Sequence, residues 1–170
     1  MNLKDKIRDI ADFPQKGILF RDITTLIKDP AAFKYVIDEL TKRYADEKID
    51  IVAAVESRGY VFGAPLAYNL GAGFVTIRKP GKLPCETYSQ EYELEYGKNT
   101  IEIHKDAVKK GPRVLLIDDL IATGGSSKAA AKLIELEGGK IIEIAFIIEL
   151  NFLNGREALK DYPVYSMIQY

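Results

Sequence analysis

Residues 114–127 have the sequence VLLIDDLIATGGSS, which contains four features in a fixed order. The apolar run at residues 114–117 is typical of a strand that is covered on both faces in a parallel sheet. Two adjacent acids follow the strand, and after them come a turn of small residues and the start of a helix. This order predicts an α/β fold with a ligand site at the carboxyl end of the strand.

The alternation of strands and helices extends along most of the chain. The predicted strands are short apolar runs, at residues 51–55, 74–77, 114–117 and 141–148. The predicted helices have apolar residues at helical spacing, at residues 60–69, at residues 126–137, and from Pro30, behind an Asp29 cap, to about residue 46. This alternation favours a twisted parallel sheet flanked by helices, in a single domain over residues 1–170.

Two segments interrupt this alternation. Residues 13–25 and 81–97 contain turn residues, aromatic residues and charges without a long helical period. We expect them to be loops carried by the scaffold, and such loops often contribute to function. Within the second segment, residues 92–96 alternate strictly between apolar and acidic types, which predicts a half-buried strand or hairpin.

The turn after the strand suits a phosphate, and the acids before the turn suit a sugar. Backbone N–H groups of the small-residue turn and of the helix start form a nest for an anion, and serine hydroxyls add donors. Asp118 and Asp119 are acceptors beside this nest, so they suit vicinal hydroxyl groups. A phosphate next to a diol describes a ribose 5-phosphate. The predicted phosphate-binding residues are Ala122, Thr123, Gly124, Gly125 and Ser126.

The composition disfavours several classes of function. The net charge is −1, so no overall basic field attracts nucleic acid or an anionic membrane. Cys85 is the single cysteine, which favours a reducing, cytoplasmic location. We find no signal-like segment, no membrane-length apolar run and no P-loop pattern. His104 is the single histidine, and the sequence shows no metal-ligand cluster. We therefore expect a cytoplasmic protein without a nucleic-acid or membrane partner.

Residues 114–127 resemble the phosphoribosyl pyrophosphate signature of the type I phosphoribosyltransferases, since apolar strand, paired acids and Thr-Gly-Gly occur in the same order. Along nearly the whole chain, the sequence resembles the adenine phosphoribosyltransferases of that family. The matching segments are Phe13-Pro14, GILFRDI at 17–23, KDP at 28–30, ESRG at 56–59, IRKPGKLP at 77–84 and LEYGK at 94–98.

The resemblance implies a fold, a reaction and partners. The fold would be the type I phosphoribosyltransferase fold, with an N-terminal base-binding loop or hood and a mobile lid from about Pro84 to Tyr96. The reaction would transfer the phosphoribosyl group of phosphoribosyl pyrophosphate to adenine, giving AMP and pyrophosphate. Mg²⁺ would enter with the sugar substrate, bound mainly through substrate oxygens and water. A homodimer is also implied.

The resemblance further implies roles for single residues. Leu19, Phe20 and Arg21 would form the adenine pocket, with Phe20 stacking on the base. Glu95 would assist the proton transfer at the purine ring. The pyrophosphate would be bound by a set of cations that follow predicted strands: Arg58, Arg78, Lys79 and Lys82.

Each of these roles has a purely structural alternative. Phe20 is equally compatible with an ordinary core position, and residues 78–82 with a solvated charged turn. Glu95 shares a face with Glu93, as on any surface hairpin. Two other functions also stay open: a phosphoribosyltransferase for a different base, and a regulator that senses phosphoribosyl pyrophosphate without catalysis.

Overall fold

The computed structural model describes residues 1–93, 97–109 and 111–170. The chain divides into two compact units, residues 1–43 and 44–170. The strands of the described residues are β1 (Arg8–Ala11), β2 (Leu19–Asp22), β3 (Ile51–Val55), β4 (Gly73–Ile77), β5 (Thr87–Glu93), β6 (Lys98–His104), β7 (Arg113–Ile121), β8 (Lys140–Glu149) and β9 (Val164–Gln169). The α-helices are α1 (Thr24–Lys28), α2 (Pro30–Tyr44), α3 (Arg58–Leu70), α4 (Gly125–Leu136) and α5 (Gly155–Ala158).

The first unit contains a short antiparallel hairpin, in which β1 pairs with β2. Residues 13–18 form the connecting loop, as expected for part of the segment 13–25. The expectation of a loop is wrong for residues 19–22, which form β2, and for the residues that begin α1. Four residues are too short for a periodic signal, and the pairing partner of β2 lies outside the segment.

Helix α2 begins where the sequence predicts. The Asp29 carboxylate accepts hydrogen bonds from the backbone N–H groups of Ala31 and Ala32, at 3.0 and 3.1 Å. It thereby satisfies two of the donors that a helix start leaves without partners. The predicted apolar positions Val36 and Leu40 are fully buried.

The second unit is built on a five-stranded parallel sheet with the strand order β4-β3-β7-β8-β9. Helix α3 packs closely on the face of the sheet that contains Ala54 and Ile117, because a methyl group added at Gly63 would contact both side chains. Helix α4 is buried in a core cluster that contains Ala53 and Leu116. Successive strand residues point to opposite faces, so the two helices cover opposite faces of the sheet. The prediction of a parallel sheet flanked by helices is confirmed.

Two features of the second unit differ in extent from the prediction. Strand β9 is absent from the predicted set, because its residues are mostly half-buried and its sequence lacks a continuous apolar run.

The expected loop at 81–97 contributes β5, which pairs with β6 in an antiparallel hairpin and packs on α4. Residues 92 and 93 of the predicted strand or hairpin at 92–96 belong to β5, and residues 94–96 lie outside the described residues. None of the described helices combines the length and the apolar character needed to cross a membrane.

Candidate active site

The second unit contains a cavity of about 500 Å³ at the carboxyl ends of β3, β4 and β7. This is the edge at which parallel sheets bind ligands. The cavity is lined by Val55, Glu56, Ser57, Arg58, Lys79, Lys82, Tyr92, Asp118, Asp119 and Ser126. Six predicted site residues, which come from three separate segments of the sequence, therefore share one cavity.

The paired acids lie within β7 rather than after it. The sequence predicts that the strand ends at Ile117, and the structure corrects this end to Ile121. Strand β8 pairs with β7 as far as Ile121, whereas β3 pairs with it only as far as Ile117. Asp118 and Asp119 thus occupy the part of β7 that extends beyond β3, and this step in the sheet edge opens the cavity.

The two carboxylates have different surroundings. The Asp119 side chain is buried and forms an ion pair with Nε of Arg58, the first residue of α3. The Asp118 carboxylate accepts a hydrogen bond from the Asp119 backbone N–H at 2.9 Å. Loss of hydration on burial, together with the neighbouring negative charge of Asp119, raises the pKa of Asp118 well above its ordinary value. A methyl group at Gly59 would lie 2.9 Å from Asp118 Oδ1, so a glycine there leaves room for this carboxylate.

Glu56 organises the cationic wall of the cavity. Its Oε2 accepts a hydrogen bond from Arg78 Nε at 2.7 Å, and its Oε1 accepts one from the Lys79 backbone N–H at 3.1 Å. Burial raises the pKa of Glu56, but these hydrogen bonds outweigh burial, so the pKa lies below its ordinary value. Arg78 also donates to the Lys82 carbonyl at 3.0 Å. Arg78 thus fixes the loop that presents Lys79 and Lys82, and it does not itself line the cavity.

The predicted phosphate loop connects β7 to α4. Gly124 has a φ of +79°, and a methyl group there would lie 2.5 Å from the Gly155 carbonyl oxygen. Both the backbone conformation and the close approach therefore require glycine. Helix α4 begins at Gly125 without a side-chain cap, so the N–H groups of its first turn are available to an anion.

The end of β5 lies over the start of α4. A methyl group at Gly125 would be 3.2 Å from the Glu93 carbonyl oxygen, and Tyr92 lines the cavity. The hairpin that contains most of the predicted lid therefore reaches the phosphate loop. Glu95 and Tyr96, the predicted catalytic and lid residues, lie outside the described residues.

The predicted base-binding residues belong to the first unit. The Phe20 ring is half-buried, and it meets the ring of Phe13 edge-on at 5.1 Å between centroids. Leu19 is 45% exposed, so neither Leu19 nor Phe20 belongs to the fully buried core. Arg21 forms an ion pair with Asp9, its partner in the β1–β2 register.

Sequence reasoning predicted Val55 only as a strand residue, and it assigned no site role to three further residues that line the cavity: Glu56, Ser57 and Tyr92. A signal for the first two was present, because Glu56 and Ser57 directly follow the apolar run of β3 at a carboxyl strand end. Tyr92 gave no comparable signal, since its alternating segment predicts only a half-buried hairpin.

Comparison with known proteins identifies the family. The family model of the phosphoribosyl transferase domain matches residues 24–169. The adenine phosphoribosyltransferase of Chloroflexus aurantiacus is 59% identical over 169 residues, which cover 99% of this chain and 98% of the relative. The chain belongs to the adenine phosphoribosyltransferase family. Its membership confirms the predicted family and enzyme class, since the relatives are pentosyltransferases.

Solved adenine phosphoribosyltransferases share the whole fold. The crystal structure from Thermoanaerobacter pseudethanolicus matches with a TM-score of 0.95 at 56% identity, covering 99% of this chain and 98% of that chain. The Saccharomyces cerevisiae enzyme matches with a TM-score of 0.91 at 42% identity, covering 97% and 96%, and was solved with adenine and an imino-altritol bisphosphate. The predicted type I phosphoribosyltransferase fold is thus confirmed, while the roles of single residues stay predictions.

Proposed function

We propose that the protein transfers the 5-phosphoribosyl group of phosphoribosyl pyrophosphate to adenine, forming AMP and pyrophosphate in purine salvage. The observation that carries this proposal is the single cavity in which the paired acids Asp118 and Asp119, three cations and Ser126, the last residue of the predicted phosphate loop, meet. Membership of the adenine phosphoribosyltransferase family supports the choice of base. The ligands of the yeast relative, adenine and a bisphosphate, are consistent with this pair of substrates.

Asp118 and Asp119 bind the ribose hydroxyls in this proposal, and the loop from Ala122 to Ser126 binds the 5′-phosphate. Support comes from the position of the acids on the cavity wall and from the uncapped first turn of α4. The Arg58 ion pair holds the Asp119 carboxylate in place before the sugar arrives. Since hydroxyl donors need an acceptor, the ionised form of Asp118 is the form that binds the diol.

Arg58, Lys79 and Lys82 bind the pyrophosphate group, and Arg78 supports them through Glu56. Three cations in one cavity favour the charge that the leaving group gains as the bond between C1′ and its oxygen breaks. The electron pair of that bond leaves with the pyrophosphate, while a ring nitrogen of adenine forms the new bond to C1′. Glu95 accepts the proton that the purine ring loses.

Leu19, Phe20 and Arg21 form the adenine pocket. The exposure of Leu19 and the half-buried ring of Phe20 support a surface role for this segment, because a core segment would be covered. A neutral aromatic face suits a flat purine, and backbone N–H and C=O groups pair with its polar edge. The Arg21 guanidinium is engaged by Asp9, so Arg21 contributes through its backbone.

Mg²⁺ is part of the proposal, and the donor set of the cavity fits an ion that enters with the substrate. Asp118 and Asp119 supply hard carboxylate oxygens, the type that Mg²⁺ prefers. Among residues 1–93, 97–109 and 111–170, no three His, Cys, Asp or Glu side chains are grouped to hold a metal by themselves. Substrate oxygens and water would complete the coordination of an ion that enters with the substrate. When bound, the ion neutralises charge on the leaving pyrophosphate.

The proposal also includes a lid, a single domain and a homodimer. The segment from about Pro84 to Tyr96 acts as a lid that excludes water from the reactive sugar, and Tyr96 is its last residue. Residues 1–170 work as a single phosphoribosyltransferase domain, in a cytoplasmic homodimer. Contact between the end of β5 and Gly125 supports the lid, because the hairpin already reaches the phosphate loop.

The test is AMP and pyrophosphate formation from phosphoribosyl pyrophosphate and Mg²⁺, with adenine, guanine, hypoxanthine and orotate offered separately. We expect turnover with adenine alone. Turnover with another base would keep the sugar-phosphate site and contradict the adenine pocket. Tight binding of phosphoribosyl pyrophosphate without turnover of any base would instead favour a sensing regulator.

A further inference from the structure

A short turn lies directly behind the predicted phosphate loop. A methyl group at Gly155, the first residue of α5, would lie 2.3 Å from the Ala122 carbonyl oxygen. From the opposite side, a methyl group at Gly124 would lie 2.5 Å from the Gly155 carbonyl oxygen. The two backbones therefore touch, and even one added carbon has no room between them.

An ion pair fixes this turn to the sheet. Arg156 Nε and Nη2 donate to the two carboxylate oxygens of Glu149 at 2.7 Å each, in the bidentate arrangement that arginine favours. Arg156 Nη1 donates to the Val164 carbonyl at 3.0 Å, and Nη2 also reaches Ser166 Oγ at 3.1 Å. Four hydrogen bonds thus anchor one side chain to the last residue of β8 and to the first half of β9.

The carboxylate in this pair is buried. The Glu149 side chain is 6% exposed, and the bonds from Arg156 hold its pKa below the ordinary value. Beside it, the Leu150 backbone N–H donates to the Ile121 carbonyl at 3.1 Å, at the end of β7 where the phosphate loop begins. The segment from Glu149 to Arg156 is therefore tied to the loop at both of its ends.

We propose that Gly155 and the Arg156–Glu149 pair are positioning residues for 5′-phosphate binding. They hold the backbone of Ala122 and Gly124 in the conformation that presents N–H groups to the phosphate. The inference rests on the proposed function, since it takes residues 122–126 as the phosphate loop. Backbone donors that are displaced by fractions of an ångström lose affinity for their anion, so support from behind decides how well the loop binds.

Gly155→Ala tests the contact, with Gly73→Ala as its matched control. A methyl group at Gly73 meets no atom closer than 3.7 Å. Calorimetric titration measures the Kd of ribose 5-phosphate and, separately, the Kd of pyrophosphate with Mg²⁺. We expect Gly155→Ala to raise the Kd of ribose 5-phosphate about tenfold or more, while that of pyrophosphate changes less than about twofold. The control should change neither.

Arg156→Lys tests the anchor and does not depend on the fold accepting a new methyl group. Lysine keeps the charge but cannot form the bidentate pair. Arg113→Lys is the matched control, because Arg113 bonds the Glu47 carbonyl and carboxylate at the amino end of β7. We expect Arg156→Lys to weaken ribose 5-phosphate binding selectively, and Arg113→Lys to leave both affinities unchanged.

Three results would overturn the inference. If the variants bind both ligands more weakly by the same factor, or if their Tm falls while the ratio of the two Kd values stays constant, then the turn only stabilises the fold. The same conclusion follows if folded Gly155→Ala binds ribose 5-phosphate as the wild type does. Wild-type protein that binds no ribose 5-phosphate would instead reject the proposed phosphate loop, and the inference with it.

Discussion

Arg58 and Asp119 form an ion pair that joins the start of α3 to the extended end of β7. The Arg58 side chain is 54% exposed, whereas that of Asp119 is 8% exposed. The pair thus has one end fixed in the sheet and one end facing the cavity. Since guanidinium has five N–H donors, a pairing through Nε leaves other donors directed elsewhere. A sugar held by Asp119 and a pyrophosphate held by Arg58 would consequently be bound by one connected unit.

Asp119→Asn should weaken the binding of phosphoribosyl pyrophosphate by about tenfold or more, because it replaces a charged acceptor and breaks the pair with Arg58. The same change at Asp118 should act in the same direction. Asp46→Asn is the control, since Asp46 is exposed on a turn. Titration calorimetry gives the Kd values, and unchanged affinity in both cavity variants would contradict the diol assignment.

Glu56→Gln should weaken pyrophosphate binding while ribose 5-phosphate binding changes little. Glutamine lacks the charge that orders Arg78, so the loop that carries Lys79 and Lys82 loses part of its support. The expected change in Kd is about tenfold, as for a lost charged hydrogen bond. Glu47→Gln is the matched control, because Glu47 pairs with Arg113. An equal rise in the Kd values of pyrophosphate and ribose 5-phosphate would argue against a role of Glu56 that is specific to the pyrophosphate.

The sheet and its ligand-binding edge were predictable from the sequence, because fully covered strands leave continuous apolar runs. Residues 51–55 are predicted and observed with the same bounds. Strand β9 was not predictable in this way, since Ser166 interrupts its apolar residues and most of its residues are half-buried. The end of β7 was misplaced because two acids interrupt the apolar run, although pairing with β8 continues past them.

The sequence predicts which residues meet at the site, but it does not predict which of their charged side chains pair with each other. Parallel strands bring their carboxyl ends to one edge, so Arg58, Lys82 and Asp118 were expected to meet. Which charge faces which depends on side-chain positions that spacing does not encode. Glu56 thus emerges as the partner of Arg78 only from the structure. Gly155 likewise lies more than thirty residues after Ala122 in the sequence and carries no motif.

Phe20→Ala should raise the KM for adenine about tenfold or more, with little change in the KM for phosphoribosyl pyrophosphate, because a stacking surface is lost. Stability should change little, since Phe20 is half-buried. Phe62→Ala gives the opposite pattern, as Phe62 is fully buried and its loss leaves a cavity in the core. Steady-state kinetics and thermal melts check both. A melting-temperature drop for Phe20→Ala as large as that for Phe62→Ala would favour the core interpretation.

Glu95→Gln should lower kcat by about 10²-fold or more, the range expected when a positioned acid or base is lost. Glu93→Gln is the matched control on the same segment, and the Glu93 residue is exposed. Steady-state assays at saturating substrates measure kcat for both variants. Equal kcat values for the two variants would return Glu95 to an ordinary surface role.

Asp118→Asn should raise the melting temperature of the ligand-free protein at about pH 8 while it weakens substrate binding. Burial and the charge of Asp119 raise the pKa of Asp118 above the value of 3.8 that applies to an ordinary aspartate. A raised pKa means that the folded state holds the proton more tightly than the unfolded state. The free energy of unfolding of the wild type therefore falls as pH rises from about 4 through the folded pKa. Asparagine carries no charge, so the variant escapes this penalty.

The advantage of Asp118→Asn should accordingly depend on pH in one direction only. It should be largest above the folded pKa and should shrink as pH falls, because the wild-type carboxyl then becomes neutral as well. Thermal melts of both proteins across a pH series measure this difference, and ligands are left out because binding would stabilise the wild type. Asp46→Asn should show no such trend. A difference that stays constant with pH would mean that Asp118 is not a destabilising charge, and a difference of opposite sign would mean that its ionised form stabilises the fold. In the expected case, the protein retains a carboxylate that lowers its stability because the substrate diol requires it.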